Sequence, residues 1–226
     1  MAAKKRFFIT ATDTDAGKTF VAAGILAAAK RAGLATMGLK PVAAGAELVD
    51  GVLSNDDALA LMAQTSVKLT YEQINPVLLK EAIAPHIAAE NAGVSMSVAR
   101  LEGVIKGSLL TPHDFALVEG AGGWRVPLNS REMLSDLAKS LNFPVILVVN
   151  MKLGCINHAT LSAEAIQRDG LNLVGWVANM GDSMPYYEEN VAAINSIITA
   201  PLLAKLTQYQ NVEDSFLEFD NILSQL

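Results

Sequence analysis

Short apolar runs alternate with segments of helical spacing along most of this chain. Strands are predicted where several apolar residues stand together, and helices where apolar residues recur at every third or fourth position. The strand pattern covers residues 6–10, 36–42, 115–118, 144–149 and 173–178. The helical pattern covers residues 19–31, 56–64, 97–110, 133–141, 157–168 and 186–198, with a last helix from about Val212.

The order of these elements predicts a fold of the α/β class. Strands and helices alternate at lengths that suit right-handed crossovers between parallel strands. Residues 144–149 are apolar at every position, which is typical of a central strand covered by helices on both faces. We therefore expect a doubly wound, mainly parallel sheet flanked by helices, in a single domain that spans residues 1–226.

Polar residues follow several of the predicted strands. Because ligands of doubly wound folds bind at the carboxyl ends of the strands, these residues are expected to lie around one site. In chain order they are Asp13, Thr14, Asp15, Lys18, Lys40, Glu119, Asn150, Lys152 and Asn179.

The loop after the first strand has the composition of a phosphate-binding loop. It consists of small residues and ends in Gly17, Lys18 and Thr19, where a helix begins. The N–H groups of such a loop face an anion, the lysine neutralises the outer phosphates, and the hydroxyl is suited to ligate Mg²⁺. The usual pattern, G-x-x-x-x-G-K-S/T, has glycine where this chain has Thr12. A chance turn is the alternative, but the position between strand and helix favours a nucleoside triphosphate site.

The strand-end residues are suited to phosphoryl transfer, in which positioning and charge neutralisation do most of the work. Lys18 and Lys40 are the candidates for neutralising the transferring group. Thr19, Asp57 and Glu119 are the candidate oxygen ligands of Mg²⁺. Plainer interpretations remain for three of these residues. Glu119 and Asp57 could each cap a helix, Asp57 in competition with Asp56, and Lys40 could be a solvated lysine.

Two glycine-containing segments offer main-chain groups to a ligand. Residues 120–123 form a turn in which the backbone can approach a ligand closely. The helix that begins after Gly154 has free N–H groups that could bind a substrate carboxylate, although a plain loop-to-helix junction is the alternative. Cys155 in that segment has no cue for activation as a nucleophile.

Composition and charge exclude several classes of function. The 226 residues carry a net charge of −6 with no basic stripe, which disfavours nucleic-acid binding. No apolar run approaches the roughly 20 residues of a membrane helix, and the first residues do not resemble a signal peptide. The single cysteine excludes an internal disulfide and is consistent with the cytoplasm. A soluble, cytoplasmic protein is expected.

Longer segments of the chain resemble the dethiobiotin synthetase family. They span nearly the whole chain in family order, and Val-Glu-Gly-Ala-Gly-Gly-Trp at 118–124 and Lys-Leu-Gly-Cys-Ile-Asn-His-Ala at 152–159 are far more specific than the phosphate loop. The other matching segments are residues 12–19, 40–43, 57–61, 144–149, 175–179 and 200–203.

The resemblance implies a P-loop NTPase-like fold and an ATP- and Mg²⁺-dependent ligase of biotin biosynthesis. Such an enzyme forms the ureido ring of dethiobiotin from 7,8-diaminopelargonate and CO₂. The reaction passes through a carbamate and a carbamic–phosphoric mixed anhydride, and it releases ADP and phosphate.

The resemblance also implies roles for particular residues. The residues that act on the carbamate and its anhydride would be Lys18, Lys40 and Thr14. The nucleotide and its metal would be held by Asp15, Ala16, Gly17, Lys18, Thr19, Phe20, Asp57, Glu119, Gly120, Ala121, Gly122, Asn179, Met180, Pro201, Leu202 and Leu203, with Thr19, Asp57 and Glu119 as the metal ligands. The substrate would contact Thr14, Lys40, Ala44, Cys155, Ile156 and Asn157.

The family is homodimeric, and the last three of these substrate residues match helix N–H groups that bind the substrate carboxylate of the partner chain. Departures from the family pattern occur at four places. Ala11 replaces a glycine, Ala44 stands where a serine often contacts the substrate, Met180 replaces an aspartate, and residues 205–207 replace an acidic-apolar-proline sequence. The proposed catalytic and metal-binding residues are unaffected.

Two other classes of protein are alternatives to this ligase. A nucleotide-switched interaction protein would share the fold, but such proteins generally carry a further lysine early in the phosphate loop. Residues 11–16 contain no lysine and two aspartates. An amidating synthetase domain normally accompanies a glutaminase module, which this sequence lacks. The sequence therefore favours the ring-closing ligase.

Overall fold

The computed structural model describes residues 4–49, 51–180, 183–207 and 216–226. The strands are β1 (Lys5–Ala11), β2 (Thr36–Leu39), β3 (Val42–Ala44), β4 (Glu47–Val49), β5 (Val52–Ser54), β6 (Val77–Leu79), β7 (Phe115–Glu119), β8 (Val145–Asn150), β9 (Leu173–Asn179) and β10 (Leu202–Leu206). The helices are α1 (Lys18–Arg31), α2 (Asp56–Gln64), α3 (Tyr71–Ile74), α4 (Pro85–Asn91), α5 (Val98–Ser108), α6 (Leu134–Leu141), α7 (Cys155–Arg168), α8 (Tyr187–Ile197) and α9 (Phe216–Gln225).

Six strands form the main sheet in the order β10-β9-β8-β1-β7-β2, and each neighbouring pair is parallel. The predicted doubly wound α/β fold is therefore confirmed. β1 lies between β7 and β8, two strands from later in the chain, so the strand order reverses at β1. The loop that follows β1 opens into the crevice where such folds bind ligands.

Helices cover both faces of the sheet, as the apolar central strands predict. Phe8 of β1 belongs to the core cluster on the face covered by α5, α6, α7 and α8. Its neighbours Phe7 and Ile9 belong to the cluster on the other face, which includes Val21 of α1 and Phe219 of α9. Successive side chains of β1 therefore point to opposite faces of the sheet, and helices cover both faces. A ligand can then reach β1 only at the loop that follows the strand.

The prediction of one strand over residues 36–42 was wrong. β2 ends at Leu39, and β3 begins at Val42 and pairs with β6 outside the main sheet. At the break, the N–H of Lys40 donates to the carbonyl of Ile74 at 2.8 Å, and the Lys40 carbonyl accepts from Asn75 Nδ2 at 2.7 Å. These bonds take the main chain out of the sheet, and Pro41 has no N–H to offer a neighbouring strand.

The remaining differences concern short elements and ends. The strand β10 was not predicted, nor were the hairpin of β4 with β5, the strand β6 and the helices α3 and α4. Helix α7 begins at Cys155, directly after Gly154 as expected and two residues before the start of the helical pattern at 157. The expected start of the last helix at Val212 lies outside the described residues. No helix in the described ranges combines the length and apolarity that a membrane span needs.

Candidate active site

A cavity of about 850 Å³ lies at the carboxyl edge of the sheet. Its walls come from the loop after β1, the junction of β2 and β3, the start of α2, the segment before α4, and the turn after β7. Ten of the residues predicted to bind ligands line it: Thr14, Asp15, Gly17, Lys18, Thr19, Lys40, Ala44, Asp57, Ala121 and Gly122. Loops that are far apart in sequence therefore meet around one space.

The phosphate loop turns through two left-handed residues. Asp15 has φ 58° and Gly17 has φ 83°. A Cβ on Gly17 would lie 2.1 Å from Nδ2 of Asn179, so this position needs glycine for space as well as for its dihedral angle. Thr12, which replaces the usual glycine, accepts a hydrogen bond from the Asn150 N–H at 3.1 Å. The hydroxyl thus ties the loop to the end of β8.

Lys40 is buried, and its ammonium has an acceptor for each of its three N–H groups. The acceptors are Glu119 Oε1 at 2.6 Å, Asp57 Oδ2 at 2.9 Å and the Gly120 carbonyl at 3.2 Å. Burial acts to lower the pKa of Lys40, but the charges of Glu119 and Asp57 outweigh it and raise that pKa. Lys40 is therefore protonated at neutral pH, and it is not the solvated lysine of the plainer interpretation.

Lys18 faces the same cavity and has the opposite pKa shift. Its Nζ donates to the Asp13 carbonyl at 3.3 Å. Burial, and then the positive charge of Lys40, lower the pKa of Lys18 to about 8, although Glu119, Asp57 and Asp15 act to raise it. The two lysines are near enough for one to disfavour the charge of the other, so an anion between them would relieve the repulsion.

Glu119 ends β7 and is fully buried. Its Oε1 accepts from both Lys40 and the Thr19 hydroxyl, the latter at 2.8 Å. Its Oε2 is buried without a hydrogen-bond partner among the residues that the structure describes. Such an orphan acceptor is costly unless another group binds it, which marks this oxygen as a candidate cation ligand.

Asp57, in the first turn of α2, contacts the ammonium of Lys40. Burial acts to raise the pKa of Asp57, but the charge of Lys40 and a hydrogen bond from Lys40 outweigh it and lower that pKa. The helix cap is Asn55, whose Oδ1 accepts from the N–H groups of Asp57 and Ala58 at 3.1 and 3.4 Å. Neither aspartate is needed as the cap, so the carboxylate of Asp57 is left to face the cavity.

The donor set fits a hard divalent cation. A hydroxyl, a half-exposed carboxylate and an unpaired buried carboxylate oxygen come together at Thr19, Asp57 and Glu119. No cluster of three His, Cys, Asp or Glu side chains suited to a metal occurs in the described parts of the chain. A dedicated all-protein metal cage is thus not seen there, and a cation at this place would need water or phosphate oxygens to complete its shell.

The glycine turn after β7 packs against the phosphate loop. A Cβ on Gly123 would lie 3.2 Å from the Thr12 carbonyl, so glycine allows the two loops to touch. Ala121 and Gly122 line the cavity, while the Gly120 carbonyl serves Lys40. The turn therefore allows a close approach between two loops, and its close approach to a ligand stays a prediction.

Of the residues expected around a nucleotide base, Asn179 contacts the phosphate loop, and none of the set lines the cavity. Asn179 Nδ2 donates to the Ala16 carbonyl at 2.9 Å, which links the end of β9 to this loop. The Met180 N–H donates to Leu206 of β10. Pro201 is exposed, whereas Leu203 is buried over Gly175. The Phe20 ring packs on Phe219 with 5.6 Å between centroids, and Phe20 does not line the cavity.

The start of α7 does not line the cavity of its own chain. The Cys155 side chain is buried, burial raises the pKa of its thiol, and its N–H donates to the Lys152 carbonyl at 2.9 Å. Cys155 therefore has no N–H left for an anion. Ile156 and Asn157 are the remaining candidates of the predicted set.

Two contacts between loops were missed by sequence reasoning. Asp13 Oδ2 meets Lys152 Nζ at 3.6 Å and His158 Nδ1 at 3.1 Å, which joins the phosphate loop to α7. Arg125 lines the cavity and pairs with Asp169 at 2.7 Å. Both contacts connect residues far apart in sequence, where local patterns carry no signal.

This fold and this loop define the class of P-loop nucleoside-triphosphate-binding proteins. The cell division ATPase MinD of Pyrococcus furiosus superposes with a TM-score of 0.61 at 19% identity, covering 99% of this chain and 98% of that one. A ParA family ATPase from Chlorobium tepidum superposes with a TM-score of 0.58 at 14% identity, covering 98% of this chain and 92% of that one. At these identities the likeness concerns the fold alone.

Sequence comparison narrows the class to one family. A family model described as an AAA domain matches residues 5–215. The ATP-dependent dethiobiotin synthetase BioD of Cellvibrio japonicus is 60% identical over 201 residues, 88% of each chain. That of Marinobacter nauticus is 46% identical over 225 residues, 99% of this chain and 95% of its own. The chain belongs to the dethiobiotin synthetase family, as its motifs predict.

Proposed function

We propose that the protein forms the ureido ring of dethiobiotin in this cavity, from 7,8-diaminopelargonate and CO₂ and with the use of ATP. As a member of its family the chain is an ATP-dependent ligase of biotin biosynthesis. The observation that carries the site assignment is the meeting of Lys18, Lys40 and Asp57 around one cavity, with the buried Glu119 paired to Lys40 behind them. The nucleotide-switched alternative is supported only by fold neighbours of 20% identity or less.

The reaction places negative charge where the lysines lie. One amine of the substrate adds to CO₂ and loses a proton, which gives a carbamate. A carbamate oxygen then attacks the terminal phosphorus of ATP, and ADP leaves. The second amine attacks the carbonyl carbon of this mixed anhydride, loses a proton and expels phosphate as the ring closes. Each of these anions is stabilised by fixed positive charge.

Lys40 can serve this chemistry only if it gives up an acceptor. All three of its N–H groups are engaged by Glu119, Asp57 and Gly120. Asp57 is the half-exposed member, with 45% of its side chain accessible, whereas Glu119 is fully buried. We infer that the contact with Asp57 opens, so that one N–H of Lys40 turns to the carbamate while Glu119 keeps the ammonium in place.

Thr19, Asp57 and Glu119 are the residues that would hold Mg²⁺. When bound, the ion would neutralise charge on the phosphates of ATP. The unpaired Oε2 of Glu119 supports this assignment, because the ion would supply its missing partner. Thr14 lines the same cavity, which supports its proposed contact with the carbamate.

Asn179 is the candidate for recognising the base. Its Nδ2 is engaged by the Ala16 carbonyl, which leaves the Oδ1 to accept a hydrogen bond from the 6-amino group of adenine. Met180 and residues 201–203 would complete the base site. The Ala16 contact ties base recognition to the phosphate loop, so a base and its phosphates would be positioned together.

A homodimer would bring the start of α7 to the partner's cavity. Leu153 is 95% exposed directly before this helix, and Leu161 within it is 56% exposed. Exposed leucines beside a candidate anion-binding helix end favour a contact between two copies of the chain. The Ile156 and Asn157 N–H groups would then meet the substrate carboxylate of the partner. A cytoplasmic location is proposed with this function. The net charge of −6 disfavours a nucleic-acid partner.

The function is tested by the turnover of Lys40→Ala. The purified protein is expected to release phosphate from ATP only when diaminopelargonate, bicarbonate and Mg²⁺ are present. Loss of the Lys40 ammonium should lower turnover by at least about 2.7 kcal/mol of transition-state stabilisation, or roughly a hundredfold. Lys68→Ala is the matched control, since Lys68 is exposed and lies outside the cavity lining. Near-normal turnover of a folded Lys40→Ala variant would contradict the assigned role.

The pKa of Lys18 predicts a pH dependence of ATP binding. The free protein loses the Lys18 proton above about pH 8, whereas bound phosphates favour the charged form. The dissociation constant for ATP should therefore rise by about tenfold or more between pH 7.5 and 9.5, with proton uptake on binding. Isothermal titration in two buffers measures both quantities. Lys18→Arg, whose guanidinium stays charged, should lose this dependence, and a flat profile in the unaltered protein would refute the prediction.

The dimer is tested by Leu161→Arg. A charge on this exposed face of α7 should prevent association, and the substrate should then bind at least about tenfold more weakly, while ATP binding is retained. Light scattering gives the mass, and titration gives the two affinities. Leu110→Arg is the control, because Leu110 is 82% exposed at the end of α5. A monomeric parent protein, or a dimeric variant with normal substrate affinity, would argue against the assembly.

A further inference from the structure

Arg125 is a cavity residue to which the reaction as described assigns no role. Among the described residues that line the cavity, Lys18, Lys40 and Arg125 are those with positive side chains. The first two serve the phosphate and carbamate. Arg125 follows the glycine turn after β7 and stands beside Val126 and Pro127, which also line the cavity. A third cation at such a place can recognise a second anionic group of the substrate.

The guanidinium of Arg125 is held from behind by Asp169, the residue that caps the end of α7. Nη1 lies 2.7 Å from Asp169 Oδ2, and Nη2 donates to Oδ1 at 2.9 Å. The Trp124 indole N–H also donates to Asp169 Oδ2 at 2.9 Å, and Nη1 of Arg125 donates to the Ser135 hydroxyl at 3.0 Å. The arginine is therefore fixed in orientation before any ligand arrives.

A count of donors shows what the arginine still offers. A guanidinium has five N–H groups. Asp169 and Ser135 engage Nη1 and one N–H of Nη2. The N–H of Nε and the second N–H of Nη2 have no acceptor among the described residues that contact Arg125. These two groups lie on the same edge of the planar guanidinium, and their spacing matches the two oxygens of a carboxylate.

The wall of the cavity suits the rest of such a ligand. Ala44, Ile83 and Val126 give it an apolar lining, which can cover a hydrocarbon chain. A ligand that presents an anionic group to Lys18 and Lys40 at one end could present an acid to Arg125 at the other. 7,8-Diaminopelargonate has this form, with its two amines at one end and a carboxylate at the other.

We propose that Arg125 binds the substrate carboxylate from within the same chain as Lys40, and that Asp169 positions it. This inference rests on the proposed function. It assigns the acid end of the substrate to two groups, the Arg125 guanidinium of one protomer and the α7 N–H groups of its partner. The arginine thus determines specificity for a free acid over a neutral end group.

The plainer role for Arg125 is structural. Its pair with Asp169 joins the turn after β7 to the end of α7, and the fold would use this link even if no ligand touched the arginine. A structural role predicts a loss of stability and a general loss of activity. A recognition role predicts a change confined to substrates that carry the carboxylate, and the two are separated by the choice of substrate.

Arg125→Gln is the first test, with diaminopelargonate and its carboxamide as paired substrates. The parent protein should prefer the acid by about tenfold or more in kcat/KM. The variant should raise KM for the acid by about tenfold or more, leave kcat within about twofold, and lose most of its preference over the carboxamide. Binding of the acid measured by calorimetry, with a non-hydrolysable ATP analogue present, should weaken by the same factor.

Three further variants separate charge, geometry and fold. Arg125→Lys keeps the charge without the fork and should restore only part of the affinity. Asp169→Asn removes the charge that orients the arginine and should raise KM for the acid less than Arg125→Gln does. Arg131→Gln, an exposed arginine outside the cavity lining, is the matched control and should behave as the parent.

Two results would overturn the inference. An Arg125→Gln protein that still prefers the acid as strongly as the parent would place carboxylate recognition elsewhere. Equal losses of kcat/KM with the acid and the carboxamide, accompanied by a lower melting temperature, would show that Arg125 has only a structural role. A parent protein that converts neither substrate would instead contradict the proposed function, so the two failures are distinguishable.

Discussion

The burial of Glu119 constrains the whole site. A fully buried carboxylate is tolerated only when a cation and hydrogen bonds compensate for the lost water, and here Lys40 and Thr19 supply them. Each partner is delivered by a different part of the fold. Glu119 ends β7, Thr19 opens α1, and Lys40 stands where β2 leaves the sheet. The parallel sheet matters for function because it brings these three ends to one edge.

The same arrangement explains how one site can serve a metal and a reacting anion. Lys40 pairs with the carboxylates of both Asp57 and Glu119, so its ammonium is held at the site before any ligand binds. Asp57 is the more exposed partner and can exchange the ammonium for another cation. Lys18 is less completely protonated than Lys40, because burial and the charge of Lys40 lower the pKa of Lys18 to about 8. An incoming polyphosphate would restore that charge, which couples binding of the nucleotide to preparation of the site.

Contacts between loops, rather than the sheet alone, give this common fold its particular cavity. MinD and ParA proteins share the fold at 14–20% identity, so the fold alone does not select a reaction. In this chain Asn179 holds the phosphate loop at Ala16, and Asp13 joins that loop to α7. Asp169 at the other end of α7 orients Arg125. The helix thus touches two loops of the cavity through its two ends.

The sequence predicted the parts of the structure that depend on short-range patterns. The central strands, α1 and the phosphate loop follow from apolar runs and a short motif, and Lys40, Asp57 and Glu119 were placed by their positions after strands and at a helix start. The break at Lys40 was not predicted, because it depends on Ile74 and Asn75.

Long-range contacts account for the other failures. The pairing of Arg125 with Asp169 spans 44 residues and left no periodic trace. Two adjacent aspartates also obscured Asn55, which is the residue that caps α2. The partner of Arg125 is identified by a tertiary contact, whereas the Asn55 cap is local, with bonds to N–H groups two and three residues along the chain.

The central claim is that Lys40 and a divalent cation share the same two carboxylates. It is tested most directly by titrating Mn²⁺ into the nucleotide-free protein and into Lys40→Met, with bound metal followed by electron paramagnetic resonance. Loss of the competing ammonium should tighten Mn²⁺ binding by about tenfold or more, while a variant of the exposed Lys68, Lys68→Met, should bind as the parent does. Unchanged or weaker binding by a folded Lys40→Met protein would contradict the claim.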